Sequence, residues 1–154
     1  MKIKYKIGDL LDAPEVIIIH GCNAQGVMGS GVAKAIRGKY PWAYEAYIDV
    51  YNTTGLVMGK VYWANNPAGE PFKIIGNAIT QSRYGYSGKQ YVSYDAIRDC
   101  VKGVVELSTI FGCCTVALPM IGAGLGGGDW NVISDIIETE SKKAFQPIVY
   151  KLGE

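Results

Sequence analysis

The sequence predicts an α/β protein with a mixed central sheet, on three observations. Short β-branched apolar runs alternate along the chain with segments of helical periodicity. Two glycine-rich stretches each follow such a run and precede such a helix. The chain has 154 residues, 49% of them apolar and 19% charged, enough to bury one substantial core. Strands alternating with helices after a first hairpin-like portion imply an α/β sandwich. No repeat, linker or low-complexity tract interrupts it, so residues 1–154 read as one domain.

The elements follow in order. Lys2 to Ile7 alternates polar and apolar residues and predicts a strand with one covered face. Gly8-Asp9-Leu10-Leu11 ends it, and Asp12-Ala13-Pro14 reads as a turn. Val16 to Ile19 is short, uncharged and β-branched, as a buried strand requires. A helix from about Val32 to Gly38 ends in basic residues that suit its dipole. Pro41 opens a second helix over Trp42 to Tyr51. Strands over Lys60 to Ala64 and Phe72 to Ala78 flank the turn-rich Asn65 to Pro71. Ser93 caps a long helix reaching Phe111, which Gly112 stops. Thr115 to Met120 forms another buried strand. Asp129 or Asn131 caps a helix to about Ala144, and Ile148 to Leu152 is the last strand.

Bulk properties exclude several classes. Net charge is +1 with the basic residues scattered, so no nucleic-acid surface is expected. No run reaches the ~20 apolar residues of a membrane span, and the N-terminus lacks the apolar core of a signal peptide. A cytoplasmic location is expected, the host cytoplasm if a phage encodes the chain. Cys22, Cys100, Cys113 and Cys114 lack zinc-ligand spacing and accompany a single histidine, so no metal and no cofactor is implied. They read as buried, reduced thiols.

The first glycine stretch, His20 to Ala33, carries Gly21, Gly26, Gly29 and Gly31 between a strand end and a helix start. Such a loop offers backbone N–H groups to an anion. The second, Gly122 to Gly128, has the same setting. Gly122-x-Gly124-x-x-Gly127 matches the dinucleotide fingerprint, but an acidic residue about 20 residues on, at the end of the next strand, is missing. No GxxxxGK[ST] run occurs. Two loops at the carboxyl ends of strands, with the polar Asn77–Lys89 stretch beside them, suggest a two-sided grip on a phosphate-bearing ligand.

Taken together, Gly8-Asp9-Leu10, the His20–Ala33 segment, and Leu118 to Leu125 with Asp129-Trp130 behind it resemble the macro domain family, which binds ADP-ribose. The resemblance spans nearly the whole chain in the same order. It implies a three-layer α/β/α sandwich. Through Asn77-x-x-Thr80-Gln81-x-x-Tyr84-Gly85 it is most similar to the ADP-ribose-1''-phosphate phosphatases of yeast and phage type, beside the branch of the terminal ADP-ribose protein glycohydrolase.

The resemblance implies roles residue by residue. Asp9 would accept from the adenine amino group, with Leu10 beside it and Tyr150 packing on the base. Gly29, Ser30, Gly31, Val32 and Ala33 would hold the diphosphate from one side, and Ile121, Gly122, Ala123, Gly124 and Leu125 from the other. Asn23 would orient the distal ribose. His20 and Asp129 would serve the attacking water, with Asn23 completing the catalytic set. Each residue also has a plainer reading, His20 as a satisfied structural histidine, Asn23 as a loop stabiliser and Asp129 as a helix cap. The glycohydrolase branch uses a lysine and an aspartate where this chain has Gln81 and Gly126. The expected function is therefore release of phosphate from ADP-ribose 1''-phosphate. ADP-ribosyl ester hydrolysis, on an ADP-ribosylated protein or an acetylated ADP-ribose, and binding without turnover are the alternatives.

Overall fold

The structure is a computed structural model and describes residues 1–112 and 114–153. Cys113 of the vicinal cysteine pair lies outside the described residues. Six strands, β1 (Lys4–Ile7), β2 (Ile17–Asn23), β3 (Val61–Asn65), β4 (Ile74–Gln81), β5 (Cys114–Leu118) and β6 (Phe145–Lys151), form one sheet in the order β1-β6-β5-β2-β4-β3. All neighbours pair parallel except β3, which returns antiparallel on β4 through the expected hairpin. Helices α1 (Gly31–Lys39), α2 (Pro41–Asn52), α3 (Tyr94–Phe111) and α4 (Trp130–Ser141) connect the strands.

Strand alternation distributes the core over both faces. Ile17, Ile19, Ala78, Val116 and Leu118 pack against Ile97, Val101, Val104, Ile133 and Ile137 of α3 and α4. Ile18, Ile75 and Ala117 point the other way, onto Leu10 in a short 3-10 turn and onto Ile36 and Ala43 of α1 and α2. Three layers result, with β2 buried on both sides at the centre, which explains its uncharged sequence.

The caps fall where residue chemistry puts them. Ser93 Oγ accepts from Ala96 N at 3.1 Å at the start of α3, and Gly112 leaves it with φ +79°. Asp129 Oδ1 accepts from Asn131 N at 2.9 Å and starts α4. Pro41 occupies the first turn of α2.

Several strand bounds differ from the sequence reading, and one difference matters for function. β2 continues four residues past Ile19, through His20-Gly21-Cys22-Asn23, in parallel register with Asn77–Gln81 of β4. A glycine-containing polar segment can hold strand geometry when a neighbouring strand supplies its hydrogen bonds, and β4 does so here. β6 likewise begins at Phe145, three residues early. β1 lies at the sheet edge with Tyr5 and Ile7 exposed, so its expected covered face reduces to Ile3. Among the described residues, no helix is long and apolar enough to cross a membrane.

Candidate functional site

From β2 the chain leaves onto the α1/α2 face, and from the adjacent β5 it leaves onto the α3/α4 face. A crevice opens where neighbouring parallel strands diverge in this way. It holds a cleft of about 230 Å³ over the ends of β2, β4 and β5. Through Gly31, Val32 and Pro119 the cleft joins a second lobe of about 330 Å³ beside Asp9 and Tyr150.

The first loop is shaped by Asn23. Its Oδ1 accepts from Gln25 N at 3.0 Å and from the buried Tyr47 hydroxyl at 2.9 Å, and its Nδ2 donates to Val27 O at 2.8 Å. The loop then enters α1 at Gly31, whose φ of +59° suits glycine. Gly31, Val32 and Ala33 line the cleft in the first turn of α1, where N–H groups lack intrahelical acceptors and favour an anion.

The second loop folds back on itself. Gly128 N donates to Gly122 O at 2.8 Å, while Gly126 O accepts from Tyr91 N at 2.7 Å and Val92 N at 3.0 Å. Gly122 has φ +77°, and a Cβ there would come within 2.9 Å of Val92 Cγ2. This folding leaves the N–H groups of Gly124, Leu125 and Gly126 without a backbone acceptor among the described residues. All three residues line the cleft, across from the first turn of α1.

Charge is segregated although the total is nearly neutral. No Asp or Glu occurs between Glu15 and Glu45, between Glu70 and Asp95, or between Glu106 and Asp129. Every residue lining the main cleft comes from those three segments, which also carry Lys34, Arg37, Lys39, Lys73, Arg83 and Lys89. Among the described residues, an anionic ligand therefore meets no fixed negative side chain in the main cleft.

In the second lobe, Asp9 Oδ1 accepts from Leu11 N at 2.9 Å, which fixes the carboxylate beside Leu10. The Tyr150 hydroxyl lies 2.9 Å from both oxygens of the buried Glu15 and donates there. Burial, then the Glu15 carboxylate, push the phenol up to about 12. The hydroxyl is thus committed, and Tyr150 offers the lobe an aromatic wall.

The expected catalytic set does not converge. Asn23 lines the cleft. His20 does not: alternation along β2 turns its imidazole to the α2 face, fully buried, with Nε2 at 2.6 Å from Asn77 Oδ1. Asn77 Nδ2 donates to Ala43 O at 3.1 Å, so its oxygen faces the ring and His20 Nε2 carries the proton. Burial lowers the imidazole to about 4, so it is neutral. Cys22 Sγ lies 3.6 Å from His20 Nε2 in the same buried layer, and burial pushes its thiol well up. Asp129 is exposed behind the second loop, bound to its own helix. No lysine, histidine or carboxylate side chain lines the main cleft among the described residues.

The cleft also contains Val27, Thr80, Gln81, Pro119, Met120 and Gly126, to which sequence reasoning gave no binding role. The usable signal was the Asn77–Gln81 pattern, since its end lies beside the end of β2.

The macro domain family model matches residues 19–137. The chain is 27% identical over 137 residues to a DNA ADP-ribosyl glycohydrolase of Thermus aquaticus, covering 88% of this chain and 37% of that protein. It therefore spans well under half the length of that relative. It is 26% identical over 162 residues to an ADP-ribose 1''-phosphate phosphatase of Scheffersomyces stipitis, covering 88% of this chain and 93% of the relative. Among solved structures, a protein of unknown function from Bacteroides thetaiotaomicron superposes with TM-score 0.85 at 30% identity, over 99% of both chains.

Proposed function

The chain belongs to the macro domain family, and on that footing we propose that it binds ADP-ribose and releases phosphate from ADP-ribose 1''-phosphate. The observation that carries the reading is the pair of glycine loops facing each other across a carboxylate-free cleft, with free N–H groups on both sides. The diphosphate lies between them, the adenine enters the Asp9–Tyr150 lobe, and the distal ribose reaches Asn23 and Gln81. Gln81 in place of a lysine weighs against a lysine-dependent glycohydrolase. The match to a phosphatase along most of both chains weighs for phosphate release.

In the proposed reaction, water adds its oxygen to phosphorus, and the bond from phosphorus to the C1'' oxygen breaks. That oxygen takes up the proton, leaving ADP-ribose and phosphate. With no lysine, histidine or carboxylate lining the cleft among the described residues, the substrate's own phosphate oxygens relay the proton while main-chain N–H groups stabilise the phosphoryl charge. Binding without turnover is the second reading, favoured by the absence of a lysine, histidine or carboxylate from the cleft lining among the described residues. Phosphate release by the wild type, His20→Ala and Asp129→Ala, beside calorimetry with ADP-ribose, separates the readings. Release above buffer supports the phosphatase, and binding with no release leaves the reader. Absence of ADP-ribose binding at high micromolar protein overturns both.

A further inference from the structure

At the end of the cleft away from Asp9, β4 carries an irregularity that the roles assigned so far do not use. Cys22 pairs with Ile79 and the next residue, Asn23, with Gln81, so Thr80 is the extra residue of a bulge. Bulges of this kind re-aim a side chain. Thr80 O accepts from Ser93 N at 2.8 Å, tying the bulge to the cap of α3. Only 1% of Thr80 is exposed, yet its hydroxyl makes no hydrogen bond among the described residues. Because no buried side-chain oxygen lacks a partner, that hydroxyl must be the part still open, and it opens into the cleft.

The space in front of it is kept free by Gly21. A Cβ at Gly21 would lie 3.0 Å from Thr80 Oγ1 and 3.2 Å from Ile121 Cγ1. Gln81 closes the niche, its orientation set by Nε2 donating to Arg83 O at 2.7 Å. The niche has a free hydroxyl proton and no carboxylate, so an oxyanion fits it better than a cation or an apolar group.

We propose that Thr80 is a specificity-determining residue whose hydroxyl donates to a phosphoryl oxygen on the distal sugar, in a niche that Gly21 keeps open. This rests on the ADP-ribose reading and names which substituent the far end of the cleft selects. Thr80→Val removes the hydroxyl at nearly constant shape, Thr80→Ser restores it, and Gly21→Ala fills the niche. Each is measured by calorimetry with ADP-ribose and by the KM for phosphate release, or Kd where no turnover occurs, with ADP-ribose 1''-phosphate. Thermal melts check folding. Thr80→Val and Gly21→Ala are expected to weaken the 1''-phosphate about tenfold and ADP-ribose less than about threefold, with Thr80→Ser near wild type. Equal effects on the two ligands, or none on either, overturn the role of Thr80 while leaving ADP-ribose binding intact. A wild type that binds neither ligand instead removes the underlying reading, and the proposal with it.

Discussion

The imidazole of His20 and the side-chain amide of Asn77 meet at 2.6 Å between β2 and β4, on the α1/α2 face of the sheet and outside the cleft lining. The pair joins the ends of the two strands and is held in turn by Ala43 of α2. It braces the strand ends from which the first loop and the Thr80 bulge depart.

A pH dependence of stability follows from that burial. The imidazole titrates near 6.5 when unfolded and at about 4 when folded. Between those values the unfolded chain binds the extra proton, so the contribution is whole above pH 6.5 and declines as pH falls toward 4. Relative to a His20→Gln variant, the wild type should lose about 2 to 3 kcal/mol more unfolding free energy between pH 7.5 and 4.5, read by urea titration. Equal losses in both proteins would contradict the buried, neutral imidazole. ADP-ribose affinity at pH 7.5 should change by less than about threefold in His20→Gln, because the ring does not line the cleft.

Gly31 tests the diphosphate cradle. It combines φ +59° with a place in the cleft wall, so Gly31→Glu adds strain of about 1 kcal/mol and a negative charge where the proposed diphosphate would lie. ADP-ribose affinity should fall by more than about 100-fold in Gly31→Glu and by only a few-fold in Gly31→Ala, by calorimetry. Similar losses in both would make strain, rather than charge, the cause.

Asn23 and Tyr47 test how the first loop is held. Removing the Asn23 amide frees Gln25 N and Val27 O and leaves the Tyr47 hydroxyl with only the Asn23 main-chain carbonyl, at 2.7 Å. Asn23→Ala should weaken ADP-ribose about tenfold and Tyr47→Phe about threefold, with the double variant losing less than the product of the two. Additive losses would mean that the two residues act separately.

Asp129 separates capping from catalysis. Loss of the cap in Asp129→Ala should cost about 1 kcal/mol in chemical unfolding, and Asp129→Asn, a good cap without charge, should recover most of it. If the carboxylate also worked on water, Asp129→Asn would be stable but slow in phosphate release. The exposed position behind the loop instead predicts release near wild type.

The two glycine loops were legible because glycine patterns between a strand and a helix are local features. Gly31 and Gly122 need backbone angles that few other residues adopt, and their neighbours announce the elements on either side. The surroundings of His20 were less legible. His20-Gly21-Cys22-Asn23 has the composition of a loop, and its strand character comes from β4, more than fifty residues away. Thr80 gave no signal as a single residue, since an unused hydroxyl is defined by what surrounds it.

By itself, then, the sequence determined the α/β order of elements, the two glycine loops at strand ends, the helix caps and the carboxylate-free segments that suit an anion. Each of these depends on residues close together in the chain or on composition. Only the tertiary structure decided which side chains share the cleft. A strand sends successive residues to opposite faces, so extending β2 by four residues turned His20 and Cys22 into the α2 core. The same extension left Gly21 and Asn23 at the cleft, where the bulge at Thr80 meets them.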